Sequence, residues 1–178
     1  SKHVKNINHQ NKNGVSALAL AVTNNSPDVV GFLIDNKADV TTLDANKNNL
    51  TPYLVASFST KKESDFRQKL NILTQKGLDI SKTQNNGNTL YHIALSQNNN
   101  TIIRFVKQFN IDVNLKNKEG NTALHLAALQ AKNTETLKYL ISIGANKETT
   151  TDFGETAYDL ALENEILKAQ NINLDFLK

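Results

Sequence analysis

One eight-residue pattern recurs five times along this 178-residue chain. It reads Gly14-Val-Ser-Ala-Leu-Ala-Leu-Ala21, then Asn49-Leu-Thr-Pro-Tyr-Leu-Val-Ala56, then Gly87-Asn-Thr-Leu-Tyr-His-Ile-Ala94. Gly120-Asn-Thr-Ala-Leu-His-Leu-Ala127 and Gly154-Glu-Thr-Ala-Tyr-Asp-Leu-Ala161 complete the set. The hydroxyl residues Ser16, Thr51, Thr89, Thr122 and Thr156 stand 35, 38, 33 and 34 residues apart. A period of this size marks an array of small supersecondary units, each needing a neighbour to bury its apolar face.

Each part of the pattern has a physical reading. The hydroxyl residue is expected to cap a helix, its oxygen accepting from a free N–H of the first turn. Pro52 follows Thr51 at the first helical position, where a missing N–H costs nothing. The apolar residues after each cap, such as Leu18, Leu20 and Ala21, fall on one helical face. A second apolar cluster follows: Val29, Val30, Phe32, Leu33 and Ile34; Ile102, Ile103, Phe105 and Val106; Leu137, Tyr139, Leu140 and Ile141. Their spacing predicts a second helix buried on one side. Gly77, Asn110 and Gly144 stand where that helix must close in a left-handed conformation, and Lys37 is the exception. Gly14, Gly87, Gly120 and Gly154 precede the caps where a tight turn needs positive φ, and Asn13-Gly14 and Asn86-Gly87 are strong turn dipeptides.

This pattern closely resembles the ankyrin repeat, best at Gly120–Ala128 and at Asp112-Val113-Asn114. The resemblance covers nearly the whole chain and implies an all-α solenoid of helix-turn-helix units joined by β-hairpin-like turns. It also implies one domain over residues 1–178. Residues 1–13 read as the tail of a preceding repeat, with repeats at about 14–48, 49–86, 87–119, 120–153 and 154–178, the last a C-terminal cap. Ile7 to Gly14 is expected to need a helix pair encoded before Ser1. The second repeat departs most: Asn49 replaces the Gly, Leu54 replaces the His, two extra residues near 46–48 are expected to lengthen the preceding hairpin, and about five more fall within 58–65. In the fifth repeat Asp159 stands at the His position.

Composition excludes more than it identifies. No Cys is present, so disulfides, thiolate nucleophiles and cysteine-ligated zinc are ruled out. A net charge of +3, with Lys scattered among acidic residues, argues against a nucleic-acid face. No apolar run is long enough for a membrane span. The Asn runs sit between helical segments and read as turns, and the Asn, Lys and Ile usage hints at a low-GC, bacterial source. The compartment stays open: cytoplasmic, or periplasmic or secreted if a signal peptide was removed. No phosphate loop, nucleophile elbow or zinc-protease motif occurs. Glu163 and Glu165 do not share a helical face, and Lys61-Lys62 with Arg67 reads as a solvated loop. His92 and His125 occupy the ankyrin His position, which implies rings that brace the turn; His3 and His9 fit no metal motif. No catalytic residue, metal or cofactor is expected, and the chain is expected to be a monomer and not an enzyme.

The function implied by the resemblance is a protein–protein interaction module gripping a partner with the concave face of hairpin tips and first helices. The alternative is a structural or regulatory segment of a larger protein, packing intramolecularly. The candidate partner-binding residues are Val15, Leu50, Phe58, Asn88, Asn121, Leu129, Gln130 and Phe153. Leu50, Phe58, Leu129 and Phe153 are apolar where a solvated surface would be polar. Two readings of them stand open: Phe58 packs under its own insertion and Phe153 caps the next repeat, or these residues are anchors within a polar rim.

Overall fold

A computed structural model describes residues 6–178. Among the described residues ten α-helices run in pairs: α1 (Ala17–Asn24) with α2 (Pro27–Asp35), α3 (Thr51–Ala56) with α4 (Glu63–Gln75), α5 (Leu90–Ser96) with α6 (Asn100–Val106), α7 (Ala123–Gln130) with α8 (Glu135–Ser142), and α9 (Ala157–Glu163) with α10 (Glu165–Ala169). No strand forms among the described residues, so the fold is all-α. The hairpin character of the connections is confined to single antiparallel bridges, Gln10 with Ser16 and Thr150 with Thr156. The chain divides into two compact units, Ser1–Asn85 and Asn86–Lys178.

In the first unit, α1 packs on α2 and α3, and α2 on α4. The core holds Leu18, Val22, Val30, Leu50, Leu54, Val55, Phe66 and Leu73. In the second unit, α7 packs on α5, α8 and α9, around Ile102, Ile103, Leu124, Leu137, Leu140 and Leu167. Such helices are too short to persist alone, so stacking is what stabilises them.

The expected caps form at four of five places. Ser16, Thr122 and Thr156 accept from the N–H three residues on. Thr89 is bound to His92 in a capping box. Thr51 is the correction: it is the first residue of α3, and Leu50 holds the cap position. The reason lies in the preceding turn. Lys47 (φ 63°) takes the role of the turn glycine, its N–H donating to Asp44 O while Asp44 N–H donates to Asn48 O, each at 2.9 Å. These are the bonds Gly14 and Asn11 make at the first tip. The turn residue is therefore Lys47, not Asn49, and the two extra residues fall between turn and helix instead of lengthening the hairpin.

The second helices close as anticipated, with φ of 105° at Gly77, 104° at Gly144 and 51° at Asn110. Lys37 does the same at 73° despite its Cβ. The amphipathic expectation for α2 needs amending: Val30 and Ile34 are buried, but Phe32 is 64% and Val29 37% exposed. At the matching positions of later repeats, Lys69 donates to Val22 O at 2.9 Å and the Arg104 guanidinium lies 4.9 Å over the Tyr139 ring. Those positions pack on the preceding helix pair, a neighbour that α2 lacks among the described residues.

Candidate functional site

Three of the described hairpin tips are built by Asx chemistry. Asn11 Oδ1 accepts from the N–H groups of Asn13 and Val15, Asp44 Oδ1 from Asn46 and Asn48, and Asn117 Oδ1 from Glu119 and Asn121. This is how short polar side chains mimic a turn. Tips then stack: Ala45 N–H donates to Asn13 O at 3.1 Å in the first unit, and Lys118 N–H to Asn86 O at 2.9 Å in the second. A Cβ on Gly120 would meet Asp152 N at 2.7 Å, so close approach as well as φ demands glycine there.

His92 and His125 are fully engaged. His92 Nδ1 accepts from Thr89 N–H at 3.2 Å and Thr89 Oγ1–H at 2.7 Å, and Nε2–H donates to Asn121 O at 2.9 Å. His125 repeats this with Thr122 (3.0 and 2.9 Å) and Thr149 O (2.9 Å). The backbone donor at Nδ1 fixes the proton on Nε2. Burial holds both imidazoles below their usual pKa, keeping them neutral. A ring with both nitrogens so occupied has no lone pair for a metal. Asp159 supplies the local half of this arrangement, its Oδ2 accepting from Thr156 N–H and Oγ1–H at 2.8 and 2.7 Å. His3 lies outside the described residues.

The eight candidate residues do not form one patch. Leu50 is 2% exposed and is lost as a surface anchor, because the register of the second turn carries it into the core. Phe58 is half-buried with its ring edge-on to Phe66, centroids 5.2 Å apart, as packing under the insertion requires. Val15, also half-buried, accepts from Asn11 N–H. Asn88 and Asn121 are joined by scaffold bonds: Asn117 Nδ2–H donates to Asn88 Oδ1 at 2.8 Å, while Asn121 N–H donates to Asn117 Oδ1 and Asn121 O receives His92. Three candidates remain solvent-facing, all in the second unit. Leu129 is 47% and Phe153 87% exposed, and Gln130 lines a cleft of about 150 Å³ with Leu95, Ala127, Ala131 and Lys132. Leu129 and Gln130 sit together in the last turn of α7; Phe153 stands apart at a hairpin tip.

Two buried polar side chains carry no sequence signal of their role. Lys69, 4% exposed on α4, reaches the last-turn carbonyl of α1, and Asn164 Nδ2–H donates to Ala128 O and Ala131 O at 2.9 and 3.0 Å while its Oδ1 caps α10. Both satisfy orphan carbonyls at the end of a first helix in the repeat before. A long-range partner of this kind leaves no local periodicity. Among the described residues, no cluster of His, Cys, Asp or Glu could hold a metal ion, and no helix is long and apolar enough to cross a membrane.

The family model for three ankyrin repeats matches residues 61–151 and 107–171, and the single-repeat model matches residues 13–45. Among curated proteins, none matches the chain.

Proposed function

The chain belongs to the ankyrin repeat family, whose members are generally protein-interaction modules and typically non-catalytic, and on that premise we propose that it binds a partner protein through its hairpin tips and first helices. The observation that carries this reading is Phe153, whose residue is 87% exposed at a tip although its N–H is held by Thr151 Oγ1. Leu129 and Gln130, at the end of α7 beside a shallow cleft, extend the same reading. Exposed aromatic and aliphatic side chains amid polar ones are the arrangement that concentrates binding energy in a few contacts. No catalytic role, cofactor or nucleic-acid partner is part of the proposal: the geometry supports it through contact surface alone.

The test uses the whole chain immobilised to capture partners from its source, with Phe153→Ala and Leu129→Ala as comparators. Each variant is expected to lower affinity for the captured protein about tenfold, near 1.4 kcal/mol, at an unchanged melting temperature. A partner that binds both variants like the parent protein, yet is lost on Phe32→Asp, would move the site to the second helices and overturn the assignment.

A further inference from the structure

Two Asn-Gly pairs occupy hairpin tips, and the structure treats them differently. We propose that Asn86 is a self-modification site, at which the Gly87 nitrogen closes on the side chain and water opens the ring to isoaspartate. In the first step the Gly87 amide nitrogen, giving up its proton, bonds to Asn86 Cγ while the Cγ–Nδ2 bond breaks and ammonia leaves. Water then cleaves the succinimide at one of its two carbonyls. Cleavage at the side-chain carbonyl gives aspartate, and at the main-chain carbonyl isoaspartate. Nothing is oxidised or reduced, and water is the sole co-reactant.

Two observations single out Asn86. The Asn88 N–H donates to Asn86 Oδ1 at 3.1 Å, so the carbonyl under attack is polarised and its developing oxyanion has a donor already in position. The Gly87 N–H, the nucleophile, has no hydrogen-bond acceptor among the described residues. Asn13-Gly14 lacks both features. Its Gly14 N–H is held by Asn11 O at 2.9 Å, Asn11 Oδ1 clamps Asn13 N–H and Val15 N–H, and Asn13 Oδ1 has no donor among the described residues. Attack there must first break the turn. Both Asn residues are exposed, so water reaches each.

Conversion would not be silent. Isoaspartate routes the main chain through Cβ and Cγ, adding a carbon to a tip with no slack. Asn86 O accepts from Lys118 N–H at 2.9 Å, and a Cβ on Gly87 would already stand 2.9 Å from that nitrogen. The aged chain should therefore lose this tip-to-tip bond, whereas Asn86→Asp, with the same charge and no added carbon, should keep it.

The purified chain is incubated in warm, mildly alkaline buffer, folded and in denaturant, and isoaspartate is quantified peptide by peptide with an isoaspartate methyltransferase and mass spectrometry. Folded protein is expected to accumulate it at residue 86 several-fold faster than at residue 13, with the two rates converging in denaturant. The isoaspartate fraction should melt below Asn86→Asp. Equal folded rates, a faster Asn13, or a preference that persists in denaturant would each overturn the proposal.

Discussion

The two units solve the same folding problem with different chemistry. In the residues 86–178 unit, every non-glycine residue with positive φ is Asn: Asn98, Asn110 and Asn171. Two His side chains bind a repeat's own cap and reach on to a distant carbonyl, His92 to Asn121 O and His125 to Thr149 O. In the unit before it, Lys37 and Lys47 adopt positive φ. There Leu54 stands where a His would, and Thr51 Oγ1 is buried without a hydrogen-bond partner among the described residues. The Thr51 N–H is bound instead by Asn49 Oδ1 at 2.9 Å, and Asn49 in turn is held by Gln84. Stacking of apolar helix faces thus tolerates the loss of the polar bracing, provided that backbone N–H groups find another acceptor. The exception is a side-chain hydroxyl, which is cheaper to leave unpaired than a backbone donor.

Exchanging residues between the two solutions should break this contrast. The largest effect is expected from His125→Leu, which imports the second repeat's residue into a site with no counterpart to Asn49. Thr122 N–H would be left buried and unpaired and the half-buried Thr149 O would lose its donor, costing about 3 kcal/mol, measured by urea unfolding. A loss below about 1 kcal/mol would mean that the imidazole braces nothing.

The same ring gives the second unit an acid limit. Burial lowers the folded-state pKa of His92 and His125, so the unfolded chain binds more protons as pH falls. Their contribution is fully present above the unfolded value of about 6.5 and is lost as pH drops through that value toward the lower folded one. Stability should therefore fall as pH drops below about 6.5, and His92→Gln with His125→Gln should flatten that slope. An unchanged slope in the double variant would assign acid sensitivity to other groups.

Thr51 and Thr122 sharpen the comparison, because the same substitution should have opposite signs. Thr122→Val removes a cap and should cost about 1 kcal/mol. Thr51→Val replaces an orphaned hydroxyl with a methyl of the same shape and should be neutral or stabilising by up to about 1 kcal/mol. Destabilisation by both would show that Thr51 has a partner in solution. A smaller gain is expected at Lys37: Lys37→Gly relieves a left-handed Cβ, worth roughly 0.5–1 kcal/mol after the added freedom of the unfolded chain is offset. Thermal melts of that variant beside Gly144→Ala, expected to move the other way, would check it.

Much of this was legible in the sequence because repeats make local chemistry visible five times over. Caps at Ser16, Thr89, Thr122 and Thr156 and the turn glycines follow from residue type and register, and the bracing role of His92 and His125 from the resemblance to the ankyrin repeat. What failed was register inside the irregular repeat. Asn49 looked like the turn residue because it stands where glycine does in the eight-residue pattern, and that error carried Leu50 from core to surface. Only the backbone shows that Lys47 takes the positive φ. The candidate site was legible in part, since exposure follows from position in the repeat for Leu129 and Phe153. The scaffold bonds of Asn88 and Asn121 could not be read from position, because they run to Asn117 and His92, one repeat away in sequence. The Lys69 and Asn164 contacts were invisible for the same reason.

The central claim, that a partner engages the tips and first helices, is tested most directly by hydrogen–deuterium exchange on the complex once a partner is captured. The account predicts new protection at residues 126–130 and at the tip around Phe153, with exchange in α2 and α8 unchanged. Protection confined to α2, α4 or α8, with the Phe153 tip exchanging as in the free protein, would contradict it.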